Sequence, residues 1–216
     1  MNVFKYINDT FKDTPDLVER KIKYSFSCVH IYYIETICSS EQINNFVLKN
    51  LTNPNGPRRF KDILAGPNFK VMGLGRLEFY LYNGFTALVY KGKIYVIETK
   101  ASLDRSVSFP EMEQDLYGAK DALLENYQKN IGLIKRRLKS SHLKTKEYKL
   151  GRFTQTATGV LYVDNITDMS LVKRIDALLN KIDTDSVIDV GELKQFLTMD
   201  KGNVFPPTKL TERPDV

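Results

Sequence analysis

The chain offers little to a soft metal or to an oxidising compartment. Its 216 residues hold two cysteines, Cys28 and Cys38, and two histidines, His30 and His142. No C-x-x-C pair exists and neither histidine lies near one, so zinc-ligand spacing is absent and no metal or other cofactor is expected. Two cysteines cannot frame a disulfide scaffold, and the pair is expected as half-buried free thiols beside one strand. No window approaches the about eighteen consecutive apolar residues of a membrane span. The opening Met1-Asn2-Val3-Phe4-Lys5-Tyr6 also lacks the apolar run of a signal peptide, so the chain as given is expected to be soluble. No serine sits in a G-x-S-x-G elbow, and the cysteines have no local catalytic context.

What is present is ordinary in amount. Hydrophobic residues make up 42% and charged residues 27%, which excludes a disordered polymer. The length suits one large domain or two small ones. With 32 basic and 26 acidic side chains the net charge is +6, a balance that suits an anionic surface without demanding one. The run Lys135-Arg136-Arg137, with Lys139, Lys144, Lys146, Lys149 and Arg152, has the charge to neutralise phosphates. A solvated helix end, with cations facing the negative pole of the dipole, accounts for it more simply. Nucleic acid is therefore not expected as a partner, and His142 is expected at the surface.

The most informative feature is a weak internal duplication. Ile31-Tyr32-Tyr33-Ile34-Glu35-Thr36-Ile37 aligns with Val160-Leu161-Tyr162-Val163-Asp164-Asn165-Ile166. Each copy is an apolar run of strand length that stops at an acid, followed by a polar turn and an amphipathic helix. Ser39 with Gln42 three residues on is a capping-box pattern, and Asp168 caps the second copy. Leu171, Val172, Ile175, Leu178, Leu179 and Ile182 form one stripe at helical period; Ile43, Phe46, Val47, Asn50 and Leu51 form a shorter one.

Around these copies the pattern predicts further elements. Pro15 after Asp13-Thr14 is read as opening a helix through Leu17, Val18, Lys21 and Ile22. A second helix is expected from Glu111 to about Leu138, weakened by Gly118 and Gly132. Lys146–Phe153 is expected to pair with Thr154–Val163. Phe85–Tyr90 and Lys93–Thr99 around Lys91-Gly92 read as a hairpin. A short helix is expected at Phe60–Ala65, a short extended piece at Val187–Val190, and a helix from Gly191 to Leu197. Residues 203–216, with three prolines, read as a tail.

Two groups of residues invite a chemical reading. Glu98-Thr99-Lys100 ends an apolar strand and, with Glu78 upstream, has the residue types with which PD-(D/E)xK nucleases hold magnesium. The triplet recurs at Glu19, Glu147 and Glu192, so an exposed strand end is the better reading. Gly73-Leu74-Gly75 begins like a dinucleotide fingerprint, but Glu78 replaces the last glycine and a turn before a strand is expected instead.

Four ordered segments then match one family. Asn130-Ile131-Gly132-Leu133-Ile134-Lys135-Arg136-Arg137-Leu138-Lys139 resembles the N-x-x-L-I-R-R-R-L-K stretch of spore germinant receptor A subunits of the GerA type. Arg105-Ser106-Val107 with Pro110 resembles their R-S-V-x-E-P, and Gly151-Arg152-Phe153-Thr154-Gln155-Thr156 their G-R-x-T-x-T. Phe205-Pro206 with Thr211-Glu212-Arg213-Pro214-Asp215 is similar to their F-P-x-x-x-x-T-E-R-P-D. The resemblance implies the soluble N-terminal part of such a subunit, the full-length protein lying in the spore inner membrane with B and C partner subunits. It implies sensing or transmission of a small nutrient germinant, and no enzyme. The expected fold is α/β, with two similar small subdomains, each a mixed sheet with packed helices. Residues 1–105 form the first, 106–202 the second, and 203–216 a tail leading toward a membrane region. Asp104, Arg105 and Ser106, with Arg136 and Arg137, are the candidate residues for interdomain or ligand-carboxylate contacts. A platform for subunit assembly without a ligand is the alternative.

Overall fold

The computed structural model describes residues 3–53, 60, 70–102, 121–197 and 208–215. The chain divides into two compact units. Met1–Ser106 with Ile131–Ser141 form the first, and Val107–Asn130 with His142–Val216 the second.

In the first unit α1 (Val3–Thr10) precedes β1 (Leu17–Tyr24) and β2 (Ser27–Ile34). A helical run follows, from α2 (Ser40–Ile43) through a π-helical turn (Asn44–Leu48) into α3 (Lys49–Thr52). β3 (Lys70–Met72), a 3-10 turn (Leu74–Arg76) and α4 (Leu77–Tyr82) lead to β4 (Phe85–Tyr90) and β5 (Lys93–Glu98). The strands make one sheet in the order β1-β2-β4-β5-β3. Every pairing in it is antiparallel, where a mixed sheet was expected. Short turns link β1 to β2 and β4 to β5, a connection available only to antiparallel neighbours.

Period-two alternation sends apolar side chains to both faces of this sheet. Val29, Ile31, Tyr33, Leu88, Tyr95 and Ile97 pack under Ile43, Val47 and Leu51 of the helical run. Tyr32, Ile34, Ala87, Val89, Ile94 and Val96 pack under Ile7, Phe11 and the α4 residues Leu77 and Leu81. Both faces are thus buried, which explains why β2, β4 and β5 read as nearly continuous apolar runs. Lys91 and Gly92 have φ of 46° and 74°, the left-handed pair of a type I′ turn, so the expected β4–β5 hairpin forms.

The Ser39 hydroxyl accepts from Gln42 N at 3.3 Å, the capping contact expected from the sequence. Ser39→Ala is expected to lower stability by about 1 kcal/mol. Urea denaturation of the chain checks this, and an unchanged midpoint would show that the cap contributes nothing.

Leu17–Tyr24, expected as a helix, is a strand. It pairs residue for residue with β2, from Leu17 opposite Ile34 to Tyr24 opposite Ser27. Val18, Ile22 and Tyr24 pack on one core face at strand period, and the Arg20 guanidinium lies 5.9 Å from the Tyr33 ring centroid. Glu19, Lys21 and Lys23 between them suit an edge strand, where charge discourages further pairing. After Gly75 a helix, α4, follows rather than a strand. Phe60–Ala65, beyond Phe60 itself, lies outside the described residues.

The next helix, α5 (Tyr127–Arg137), begins later than the predicted Glu111; residues 103–120 lie outside the described residues, and 121–126 are not helical. Asn126 Oδ1 accepts from Lys129 N at 3.0 Å, and Asn130 closes a loop on Leu124, accepting from its N–H at 2.7 Å.

In the second unit β6 (Leu143–Leu150) and β7 (Thr156–Val163) form an antiparallel hairpin, followed by α6 (Met169–Leu179) and α7 (Val190–Leu197). Val187–Ile188 is not a strand, because its backbone groups serve the neighbouring turn: Val187 N donates to Thr154 Oγ1 at 3.2 Å and Val187 O accepts from Thr156 Oγ1. The core is small: Leu150, Leu179 and Val187, flanked by Val160, Ile175 and Leu193. Asp168 caps α6 by accepting from Ser170 N at 2.8 Å. Each unit therefore contains an antiparallel hairpin whose second strand leads, through a short turn, into a capped helix. This is the block that the duplication marks, and the fold is α/β.

Candidate functional site

Of the residues expected to carry function, Asp104, Arg105 and Ser106 lie outside the described residues. Arg136 is half-buried and Arg137 exposed in the last turn of α5, and neither is free of partners. The run they belong to is not simply a solvated helix end. Lys135 is 0% exposed and its ammonium pairs with the Asp16 carboxylate, itself 6% exposed. Thr36 Oγ1 donates to the second Asp16 oxygen. A buried charge is tolerated only when paired and hydrogen-bonded, and both conditions are met here. Sequence periodicity hid this residue, because a lysine beside two arginines looks like surface. The one available signal was Asp16, an acid just before the first strand pair.

Two further contacts hold the same segment in the first unit. Lys139 Nζ donates to Asn83 Oδ1 at 2.7 Å, and Ser141 N donates to Glu78 Oε1 at 2.8 Å. Glu78, considered above as a metal acid, thus holds a backbone amide. Glu98 lies opposite Phe85 at the end of β5, and Lys100 forms a bridge with Cys38. Among the described residues no three His, Cys, Asp or Glu side chains gather to hold a metal ion. Both cysteines are free thiols; Cys38 is buried, and burial pushes its thiol up to about 11.

An open groove of ≈ 520 Å³ lies in the first unit where α1 begins. Lys21, His30 and Val89 form a cross-strand row in it, with Phe4, Cys28 and Lys91 as further walls. Glu19 orients His30: its carboxylate lies 2.9 Å from Nδ1 and also accepts from the Tyr32 hydroxyl at 2.8 Å. The Phe4 ring meets His30 edge-on at 4.6 Å. A second groove of ≈ 440 Å³ shares Val3 and Gly92 with the first, and is walled by Val71, Met72, Leu74 and Ile94. At the second unit's hairpin start, His142 Nδ1 lies 2.7 Å from Asp164 Oδ1 and is exposed as expected.

The hydrogen bond with His30 is the main cause that lowers the Glu19 carboxyl from its ordinary 4.5. Ser170 N lowers Asp168, and the Tyr148 hydroxyl, then Lys146, lowers Asp176, both from 3.8. A carboxyl lowered in the folded state binds its proton more readily when unfolded, so its contribution is present above the ordinary value and lost below it. The chain's urea midpoint is expected to hold steady from pH 4.5 up to the ordinary thiol value of 9.0, and to fall on acidification through the lowered values. A midpoint that rises on acidification would contradict the sign.

The GerA family model, described as Bacillus/Clostridium GerA spore germination protein, matches residues 5–216. The chain belongs to the GerA family. Spore germination protein XA of Bacillus anthracis is 32% identical over 121 residues, 56% of this chain and 25% of that protein. Stage V sporulation protein AF of Bacillus subtilis (strain 168) is 25% identical over 213 residues, 93% of this chain and 43% of that protein. The chain thus spans a quarter of the first relative and under half of the second. In fold it is similar to the N-terminal domain of the A subunit of the Bacillus megaterium spore germinant receptor GerK3. The TM-score is 0.69 at 23% identity, over 98% of this chain and 83% of that one.

The GerA-like segments turn out to be anchors. Asn130 closes its loop and Lys135 its buried pair, as described. Gly151 has φ of 84°, and an added Cβ would lie 2.3 Å from Thr154 Oγ1. Arg152 binds Asp183 through two nitrogens, at 2.9 and 2.7 Å, and Thr154 and Thr156 grip Val187. Near the chain's end Glu212 O accepts from Leu123 N, and Arg213 binds Asp215 through two nitrogens, at 3.2 and 2.7 Å. Among the described residues no helix is long and apolar enough to cross a membrane.

Proposed function

We propose that this chain is the N-terminal domain of a nutrient-germinant receptor A subunit, which senses or passes on a small-molecule signal that triggers spore germination. The observation that carries this reading is the GerA match over residues 5–216, supported by the likeness to a solved A-subunit N-terminal domain. On this reading the domain catalyses no reaction. The full-length protein works in the spore inner membrane with B and C subunits. Asp104, Arg105, Ser106, Arg136 and Arg137 remain the residues proposed to meet a ligand carboxylate or to hold the fold, arginine's planar fork suiting a carboxylate. The exposed apolar residues Phe153, Ile166 and Ile188 favour a second reading, in which the domain assembles subunits and binds no nutrient. An NMR titration of the chain with amino acids, sugars and nucleosides separates the two. Saturable shifts support sensing, and no response at millimolar concentration supports assembly.

A further inference from the structure

We propose that the end of the five-stranded sheet that carries its two hairpin turns docks on an anionic membrane surface, with Phe26 entering the headgroup layer. The proposal goes beyond the sensing reading and needs no nutrient site. Phe26 is the most exposed large apolar side chain among the described residues, at 106%. With Ser25 it makes the two-residue turn that joins β1 to β2, closed by the pair Tyr24 and Ser27. Ser25 has φ of 55°, a backbone that Gly, Asn or Asp serves best, and such turns favour polar residues. The turn therefore does not call for a phenylalanine, and full exposure means that the ring adds nothing to the core.

The surroundings of Phe26 are cationic. His30 stands opposite Val89, so the start of β2 lies beside the end of β4, and the Lys91-Gly92 turn shares an end of the sheet with Phe26. Ser27, Cys28, Lys91 and Gly92 accordingly wall one groove. Lys23, Lys91 and Lys93 are exposed there, and none makes an ion pair among the described residues. Lys23 alternates with the core residues Ile22 and Tyr24 and so projects from one face, while Lys93, opposite Tyr90, projects from the other. A flat partner that meets the sheet end-on reaches both faces. The acids of these strands stand away from this end: Glu19 lies opposite Tyr32, held by His30, and Glu98 opposite Phe85. An exposed aromatic among lysines is how interfacial anchors meet an anionic bilayer. One aromatic tip buries far less than a stable protein interface requires.

The chain has no tryptophan, so Phe26→Trp places a single indole reporter at the tip. Titration with vesicles of equal parts phosphatidylglycerol and phosphatidylcholine is expected to shift its emission to the blue, and phosphatidylcholine alone to leave it unshifted. In cosedimentation with the mixed vesicles the parent chain is expected to bind. Phe26→Ser is expected to weaken that binding about tenfold, and Lys23→Gln about fivefold. Both are expected to leave the melting temperature unchanged, since both side chains are exposed. Phe153→Ser and Lys181→Gln, at exposed residues of the second unit, are expected to weaken binding by less than about twofold. No binding to the mixed vesicles, equal binding to pure phosphatidylcholine, or equal losses from the substitutions in the two units overturns the proposal. A blue shift that grows with protein concentration without vesicles assigns the tip to a second copy of the chain. An equal shift with a DNA oligonucleotide assigns it to nucleic acid, and either result also overturns the proposal.

Discussion

Replacing Lys135 by Met is expected to destabilise the first unit by about 3–5 kcal/mol, since it leaves the Asp16 carboxylate buried without its cation. The expectation follows from burial. Lys135 is 0% and Asp16 6% exposed, so solvent cannot compensate either charge. Asp16→Asn is expected to cost a similar amount for the mirrored reason. The double variant Asp16→Asn with Lys135→Met leaves no buried charge, and the amide oxygen it introduces can still accept from the Thr36 hydroxyl. It is expected to be more stable than the sum of the singles by about 0.5–3 kcal/mol, the coupling typical of contacting pairs. Urea denaturation of the four proteins measures this. Additive losses would mean that the two side chains do not act as a pair.

Leu88→Ala and Leu81→Ala are each expected to cost about 2–5 kcal/mol, because each removes a fully buried side chain and leaves a cavity. They lie on opposite faces of the five-stranded sheet, Leu88 under the helical run and Leu81 within α4 itself. Leu171, half exposed in the second unit, is the control, and Leu171→Ala is expected to fall within about 0.5 kcal/mol of the parent. A loss at Leu88 with none at Leu81 would mean that α4 does not cover its face.

Where sequence pattern and burial share one period, the fold was legible. The β4–β5 hairpin announced itself through Lys91-Gly92, and α6 through an apolar stripe beginning at an Asp cap. Tyr33 and Tyr162 marked two strand-turn-helix blocks, and both blocks form. β1 was misread because Leu17, Val18, Lys21 and Ile22 also suit a helix; only its pairing with β2 selects Val18, Ile22 and Tyr24 as one face. The mixed sheets failed for a related reason. Strand direction is set by which segments pair, which local composition does not state. Lys135 was hidden because residue type alone places a lysine in water, and its partner is 119 residues away.

The family resemblance rested on segments whose side chains mostly anchor backbone to backbone. Asn130, Lys135, Gly151, Arg152, Thr154, Arg213 and Asp215 each close a turn or an ion pair. Such residues identify a fold well and a ligand poorly. The groove near Phe4 and His30 was invisible in sequence because its walls come from α1, β1, β2 and the β4–β5 turn, joined only by the sheet register.

The measurement that bears most directly on the proposed role is germination of spores from which the full-length protein has been deleted, followed as loss of refractility in a panel of nutrients. A nutrient-receptor subunit predicts a slowed or absent response to at least one nutrient, restored by the full-length gene, with an unchanged response to a non-nutrient trigger. Spores that answer every nutrient at the parental rate would contradict it.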